Sequence, residues 1–364
     1  MSEDKSTSDP FGRAPGEPLI VSVTAPFPPG EQLAELLNEV AGPVEVHFTP
    51  YTESREARAA RGVNDGVLPA DIATPEVDDA TLAIWRQTHV VVGIDLPAHA
   101  PERLLNLRWF QTVSAGIDHV DQSELAKLGV RLSSASGIAS SSLAEFVMAR
   151  LLEVWKSLRT IEGNQRDQVW SELFGTEVGG RTLLIVGLGS IGREVARRAR
   201  AFNMTVLATR ASARSGDTDP DVDELHPSDT LDSLLPRADA VVCALPTSAA
   251  TTDLFDADRF DLMKSDAIFC NVGRGTLVVE RDLIKTLERG HLRAAVLDVM
   301  RNEPLPTGDP LWSAPRTYLS PHSAISLDNY QRNGWAMVAE NLERFLAGEP
   351  LRNAVQLPPA ADGG

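Results

Sequence analysis

Arg274, Glu303 and His322 are the side chains whose types and positions in this chain could do anion and proton chemistry together. Each stands just past a short apolar run. Arg274 lies in Asn271-Val-Gly-Arg274-Gly275 after Ala267 to Val272, and Glu303 in Leu297-Asp298-Val-Met-Arg-Asn-Glu303-Pro304 after Ala294 to Val299. His322 lies in Ser320-Pro321-His322-Ser323-Ala324 after Thr317 to Leu319. If those runs are strands of an open parallel sheet, the three residues emerge at its carboxyl edge, where such sheets bind ligands. The forked cation of an arginine suits a carboxylate and a polarised carbonyl together, and an imidazole is the usual carrier of protons near neutral pH. Singly, each has an ordinary explanation: a surface ion pair for Arg274 or Glu303, a strand-end cap for His322. Three at one edge, beside a cofactor loop, are harder to dismiss.

The cofactor loop is Arg181-Thr-Leu-Leu-Ile-Val-Gly187-Leu-Gly189-Ser190-Ile191-Gly192, an apolar run closed by three glycines at G-x-G-x-x-G spacing. Gly187 suits the tight turn out of a strand, Gly189 the close approach of backbone to a pyrophosphate, and Gly192 the packing of helix on strand. The helix that opens at Ser190 and Ile191 would hold phosphates by its unpaired N–H groups and its dipole. Its pattern predicts a helix over Ile191 to Phe202 with Ile191, Val195 and Phe202 on the apolar side. After the next strand, an acidic residue would normally bind the ribose hydroxyls of NAD. This chain has Thr209-Arg210-Ala-Ser212-Ala-Arg214, with no carboxylate before Asp217. Two guanidinium groups and two hydroxyls suit a 2′-phosphate, which favours NADP(H) and leaves NAD(H) possible.

The elements that must hold these loops alternate. Pro18 to Thr24, Val44 to Phe48, Val90 to Ile94, Trp109 to Ser114 and Val130 to Leu132 read as strands. Glu31 to Val40 and Asp121 to Leu128 read as helices, and the polar stretch Tyr51 to Thr81 has no clear assignment. Ser140 to Leu158 is a long helix opened by serines suited to an N-cap. Beyond the glycine loop, Thr205 to Ala208, Ala240 to Leu245, Ala267 to Val272, Ala294 to Val299 and Thr317 to Leu319 complete a doubly wound sheet of about six strands. Thr230 to Leu235 and Glu280 to Arg289 are helical. The helix Leu327 to Leu346 is expected to pack back on the first domain. The class is α/β with two domains: 18–135 with 324–364 binding substrate, and 136–323 binding the dinucleotide, after a disordered tail at 1–17.

The chain's 364 residues are enough for two cores, and 43% hydrophobic residues with a net charge of −17 suit a soluble globular protein. That charge argues against a nucleic-acid binder, since phosphate contacts need a basic face. No window reads as a membrane span, and no signal peptide precedes the first strand. Cys243 and Cys270 lie in apolar runs and offer neither metal spacing nor a disulfide framework, so a cytoplasmic location fits and no metal is expected.

With Val113-Ser114-Ala115-Gly116-Ile117-Asp118 and the helix start Leu143-Ala144-Glu145, these motifs resemble the D-2-hydroxyacid dehydrogenase family over Gln111 to Leu346. Within it, Arg210, Met300-Arg-Asn-Glu303-Pro-Leu-Pro and Pro310-Leu-Trp312 look most like the NADPH-dependent glyoxylate/hydroxypyruvate reductases. The resemblance implies a Rossmann-type domain with a smaller flavodoxin-like substrate domain, and hydride transfer from NAD(P)H to a small 2-keto acid giving the D-2-hydroxy acid. It implies that Arg274 binds the keto acid, that His322 is the acid/base with Glu303 as its partner, and that the Ala115 and Gly116 amides hold the carboxylate. It further implies cofactor contacts at Leu245, Pro246, Thr251, Val272, Asp298 and His322, and a homodimer built through the cofactor domains and the Ser140 to Leu158 helix. Where members often carry an aromatic residue and then Glu, this chain has Met300-Arg301. His119, beside the substrate turn, is tempting as a second acid but reads better as a structural hinge residue. The rival functions are a corepressor-like dinucleotide-binding module and a phosphite- or formate-type dehydrogenase.

Overall fold

The computed structural model describes residues 17–29, Glu35 and 42–359. The expected tail, most of the helix expected over Glu31 to Val40 and the last residues lie outside that range. The chain divides into two compact units, one running to Ile138 and resuming at Leu327, the other Ala139–Ser326.

The first unit is built on a five-stranded parallel sheet of β1 (Leu19–Val23), β2 (Val44–Phe48), β3 (Val90–Gly93), β4 (Trp109–Thr112) and β5 (Arg131–Ser133), in the order β2-β1-β3-β4-β5. This is the flavodoxin-like order, with its switch point between β1 and β3. The central strands β3 and β4 are buried along their whole length, whereas the edge strand β2 is partly exposed. One face takes Trp335, Val338, Leu342 and Phe345 of the helix Leu327–Leu346, against Leu19, Val21, Val90 and Trp109. Trp109 stacks on Phe345 at 5.3 Å between ring centres. Burying side chains of this size is worth roughly 1.5–3 kcal/mol each, which is what returns the chain's end to this unit. The unassigned polar stretch contains a helix, Arg55–Gly62, capped by Ser54 accepting from the Ala57 amide. A second, Asp79–Trp85, is capped by Asp78. The first has only alanines among its charged residues and the second is under two turns long, too short to show a period; the caps were the available signal.

The second unit holds seven parallel strands: β6 (Thr182–Val186), β7 (Thr205–Arg210), β8 (Glu224–Pro227), β9 (Ala240–Cys243), β10 (Ile268–Asn271), β11 (Ala294–Leu297) and β12 (Thr317–Leu319). Their order is β12-β11-β10-β9-β6-β7-β8, which reverses direction of growth at β6. The expectation of about six strands misses β8, Glu-Leu-His-Pro, a short polar edge strand ending in proline.

Two helix readings need correction. The helix after β6 is Ser190–Ala201 and buries Gly192, Val195, Ala196 and Ala199, whereas Phe202 is its C-cap and 39% exposed. Small residues line the contact because helix and strand approach closely there. The long helix is Ser140–Trp155 and its N-cap is Ala139, with no side-chain cap bond. It stops because Ser157 adopts a left-handed φ of 54°, after which a second helix runs Leu158–Arg166.

Candidate active site

Sheet order explains why three residues far apart in sequence converge. β10, β11 and β12 are adjacent and parallel, so their carboxyl ends lie side by side. At the end of β10 the fully buried Asn271 pins the loop: its side chain accepts from the Gly273 amide at 3.1 Å and donates to the Arg274 carbonyl at 2.9 Å. At the end of β11 the buried Asp298 accepts from the amides of Ser323 (3.1 Å) and Ala324 (3.2 Å), while its carbonyl accepts from the His322 amide (2.8 Å). His322 itself has a φ of 53°. Asp298 therefore fixes the turn that presents the imidazole.

His322 Nδ1 lies 2.8 Å from Glu303 Oε2, and Glu303 Oε1 accepts from the Met300 amide at 3.0 Å. Burial alone would raise the Glu303 carboxyl. It is outweighed by the hydrogen bond and charge of His322, the Met300 amide and the charge of Arg274, which together hold it below the usual glutamate range. An ionised Glu303 can only accept, so Nδ1 is the donor and Nε2 is left for chemistry. The Arg274 and Glu303 loops meet at Gly275, where a Cβ would sit 1.9 Å from the Met300 carbonyl carbon. No side chain fits between them. Arg274, Glu303 and His322 thus share one edge, as their spacing implied.

At the same carboxyl edge, at the end of the central strand β6, the glycine loop has three distinct geometries. Gly187 has φ +106°, and a Cβ there would meet Leu245 at 2.8 Å. Gly192 would drive a Cβ to 2.4 Å from the Gly187 carbonyl. Gly189 meets nothing within 4 Å and is exposed, at the N-terminus of the Ser190–Ala201 helix. That combination, open space ahead of helix N–H groups, fits a diphosphate. Ser190 is exposed and Ile191 half-buried there. Leu245 also packs under Gly273, whose Cβ would fall 2.5 Å from the Leu245 carbonyl. The Pro246 carbonyl accepts from the Thr251 hydroxyl at 2.8 Å, and the buried Val272 donates its amide to Cys243.

At the end of β7 the Thr209 side chain is buried and its carbonyl accepts from both Gly187 and Leu188. Ser212 and Arg214 are exposed, the Arg214 amide donating to Asp217 at 2.9 Å. Arg210 is not the lone cation its neighbours in sequence suggest. Its Nη1 donates to Asp219 Oδ2 at 3.2 Å, and Asp219 is also forked by Arg193. Sequence reading missed both Asp219 and Arg193, and also the loop-pinning role of Asn271. Only the last left a signal, an asparagine at a strand end two residues before a glycine.

Ala115 and Gly116 belong to the first unit, in the exposed turn after β4, held by the Ser114 amide on Thr112 Oγ1 and by the Tyr330 hydroxyl on the Val113 carbonyl. His119 follows them and places Nε2 2.8 Å from the Ile94 carbonyl. Among the described residues no group of His, Cys, Asp and Glu could hold a metal ion, and no helix is long and apolar enough to cross a membrane.

Residues 148–324 match the family model for the D-isomer specific 2-hydroxyacid dehydrogenase, NAD binding domain. The chain is 37% identical to glyoxylate/hydroxypyruvate reductase B of Citrobacter koseri over 264 residues, 70% of this chain and 79% of that one. It is 35% identical to the enzyme of the same name from Escherichia fergusonii over 330 residues, 86% and 93% of the two chains. Among solved structures it resembles the NADPH-dependent glyoxylate/hydroxypyruvate reductase of Sinorhizobium meliloti, in complex with NADP and sulfate. The TM-score is 0.70 at 26% identity, covering 92% of this chain and 98% of that one.

Proposed function

The chain belongs to the D-isomer specific 2-hydroxyacid dehydrogenase family and is an NAD(P)H-dependent oxidoreductase acting on keto acids; from that premise we propose that it reduces a small 2-keto acid such as glyoxylate or hydroxypyruvate, with NADPH as preferred donor. The observation that carries the mechanism is the 2.8 Å His322–Glu303 pair beside the Arg274 loop at one strand edge.

The bound dinucleotide supplies the hydride. Gly187, Gly189 and Gly192, with the helix start at Ser190 and Ile191, are the proposed diphosphate holders. Leu245, Pro246, Thr251, Val272 and Asp298 are the proposed walls of the remaining cofactor site. Arg274 orients the substrate and stabilises the negative charge that builds on its carbonyl oxygen. His322 holds a proton at Nε2 and gives it to that oxygen. Glu303 fixes the ring's orientation by accepting from Nδ1. The Ala115 and Gly116 amides remain the proposed carboxylate donors. The cofactor preference is supported by Arg210, whose side chain is 30% exposed at the end of β7, and by Ser212 and Arg214, both exposed on the loop that follows.

A homodimer through the cofactor units is supported by the exposed apolar side chains after the Leu158–Arg166 helix, where Trp170 is 99% and Phe174 87% exposed. Sedimentation at equilibrium measures it. A cytoplasmic location is supported by the two buried free thiols, Cys243 being pushed up to about 12 by burial. The substrate test is the loss of NADPH or NADH absorbance against a panel of glyoxylate, hydroxypyruvate, pyruvate and bulkier 2-oxo acids. Best turnover on a bulky 2-oxo acid, or with NADH, removes the finer assignment.

A further inference from the structure

The loop after β7 carries a charge cluster that the reaction itself does not use. Arg193, one residue past the last fingerprint glycine, donates Nη1 and Nη2 to the two oxygens of Asp219, both at 2.7 Å, and Nη1 again to Asp221 at 3.0 Å. The same Asp219 Oδ2 accepts Arg210 Nη1 at 3.2 Å. Asp219 is only 6% exposed, so it is held in place, and the Arg193 hydrogen bonds keep its carboxyl below the usual aspartate range. Asp219 is thus an ionised anchor with two cations on it.

We propose that Asp219, neutralised by Arg193, is a positioning residue for dinucleotide specificity: it holds the Arg210 guanidinium in place to receive a 2′-phosphate. The inference rests on the NADP(H) reading above. A carboxylate near a phosphate site has two opposed effects. It repels the phosphate, and it immobilises the arginine that binds it. Here two cations offset the repulsion: Arg193 forks Asp219 and also meets Asp221, and Arg197 lies 3.5 Å from Asp221, so the pair of carboxylates is matched by a pair of guanidinium groups. The immobilisation survives, and it lowers the entropy lost when the phosphate docks. A surface aspartate without Arg193 would do the reverse.

The test is calorimetric titration of the full-length protein with adenosine 2′,5′-bisphosphate and with 5′-AMP, which differ only in the 2′-phosphate, alongside KM and kcat for NADPH and NADH. Asp219→Asn is expected to weaken adenosine 2′,5′-bisphosphate by about tenfold, ~1.4 kcal/mol, with 5′-AMP unchanged, and to raise KM for NADPH without lowering kcat. Unchanged or tighter binding of the bisphosphate overturns the proposal. Should Asp219→Asn fail to fold, Arg193→Gln is read instead. It leaves Asp219 uncompensated and is expected to give the same selective loss; a gain or no change overturns the proposal. Arg210→Gln separates the two levels. If it weakens the bisphosphate selectively while Asp219→Asn does not, only the positioning role falls; if it has no selective effect, the NADP(H) reading falls and the inference with it.

Discussion

Each unit places a histidine near a carboxylate beyond the carboxyl ends of its parallel strands, and the two pairs are built for different ends. In the first unit His119 Nε2 lies 4.0 Å from Asp95 Oδ1, with side chains 12% and 1% exposed, and that nitrogen is already engaged by the Ile94 carbonyl. In the second, His322 Nδ1 lies 2.8 Å from Glu303 Oε2, with side chains 50% and 27% exposed. Burial raises the Asp95 carboxyl, outweighing the Glu53 amide and the charges of Arg58 and His119. At Glu303 the partners outweigh burial and the shift is downward. Asp95 also belongs to a structural set: it accepts the Glu53 amide at 2.9 Å, and Glu53 is forked by Arg61 at 2.8 Å. The His322 ring is thus anchored at one nitrogen and half exposed, whereas the His119–Asp95 pair is largely enclosed and tied into the fold.

The sharpest way to break this comparison is His322→Ala. Turnover should fall by on the order of 10²–10⁴, as for loss of a general acid, with cofactor binding retained. His119→Ala should instead lower the melting temperature and spare kcat. Equal losses of kcat would mean the two pairs are not different in kind. Glu303→Gln acts through the ring, so a smaller fall in kcat is expected, roughly ten- to a hundredfold, below the effect of deleting the acid itself. A wild-type kcat would detach Glu303 from the mechanism. Arg210→Asp places like charges together and should move the ratio of kcat/KM for NADPH over NADH toward NADH by about tenfold or more; a fixed ratio rejects the 2′-phosphate site.

The smallest effect is the most discriminating, because its sign differs between the pairs. Glu303, lowered in the fold, contributes stability that is present above the ordinary glutamate pKa and lost as pH falls through the folded value. The gap in melting temperature between wild type and Glu303→Gln should therefore close as pH is lowered. Asp95, raised in the fold, makes the wild type lose stability as pH climbs from the ordinary aspartate pKa through the folded one. Asp95→Asn should gain on wild type across that interval. Gaps that move the same way in both variants would remove the distinction.

The sequence by itself determined the repeating strand–helix pattern, the glycine loop and the strand-end positions of Arg274, Asp298, Glu303 and His322, because these follow from local apolar runs and the residues that end them. It could not supply β8, whose polar edge position leaves no run to read, nor the two helices between Ser54 and Trp85, which are too short or too polar to show a helical period. Least legible was charge. Arg210 stands in a stretch without acids, yet Asp219 reaches it from nine residues on, and Arg210 shares that carboxylate with Arg193 from the preceding helix. Which ion meets which depends on how loops close in three dimensions and on how little solvent is left between them. Only the tertiary structure decides that, because Coulomb attraction is set by distance and burial, neither of which sequence separation encodes.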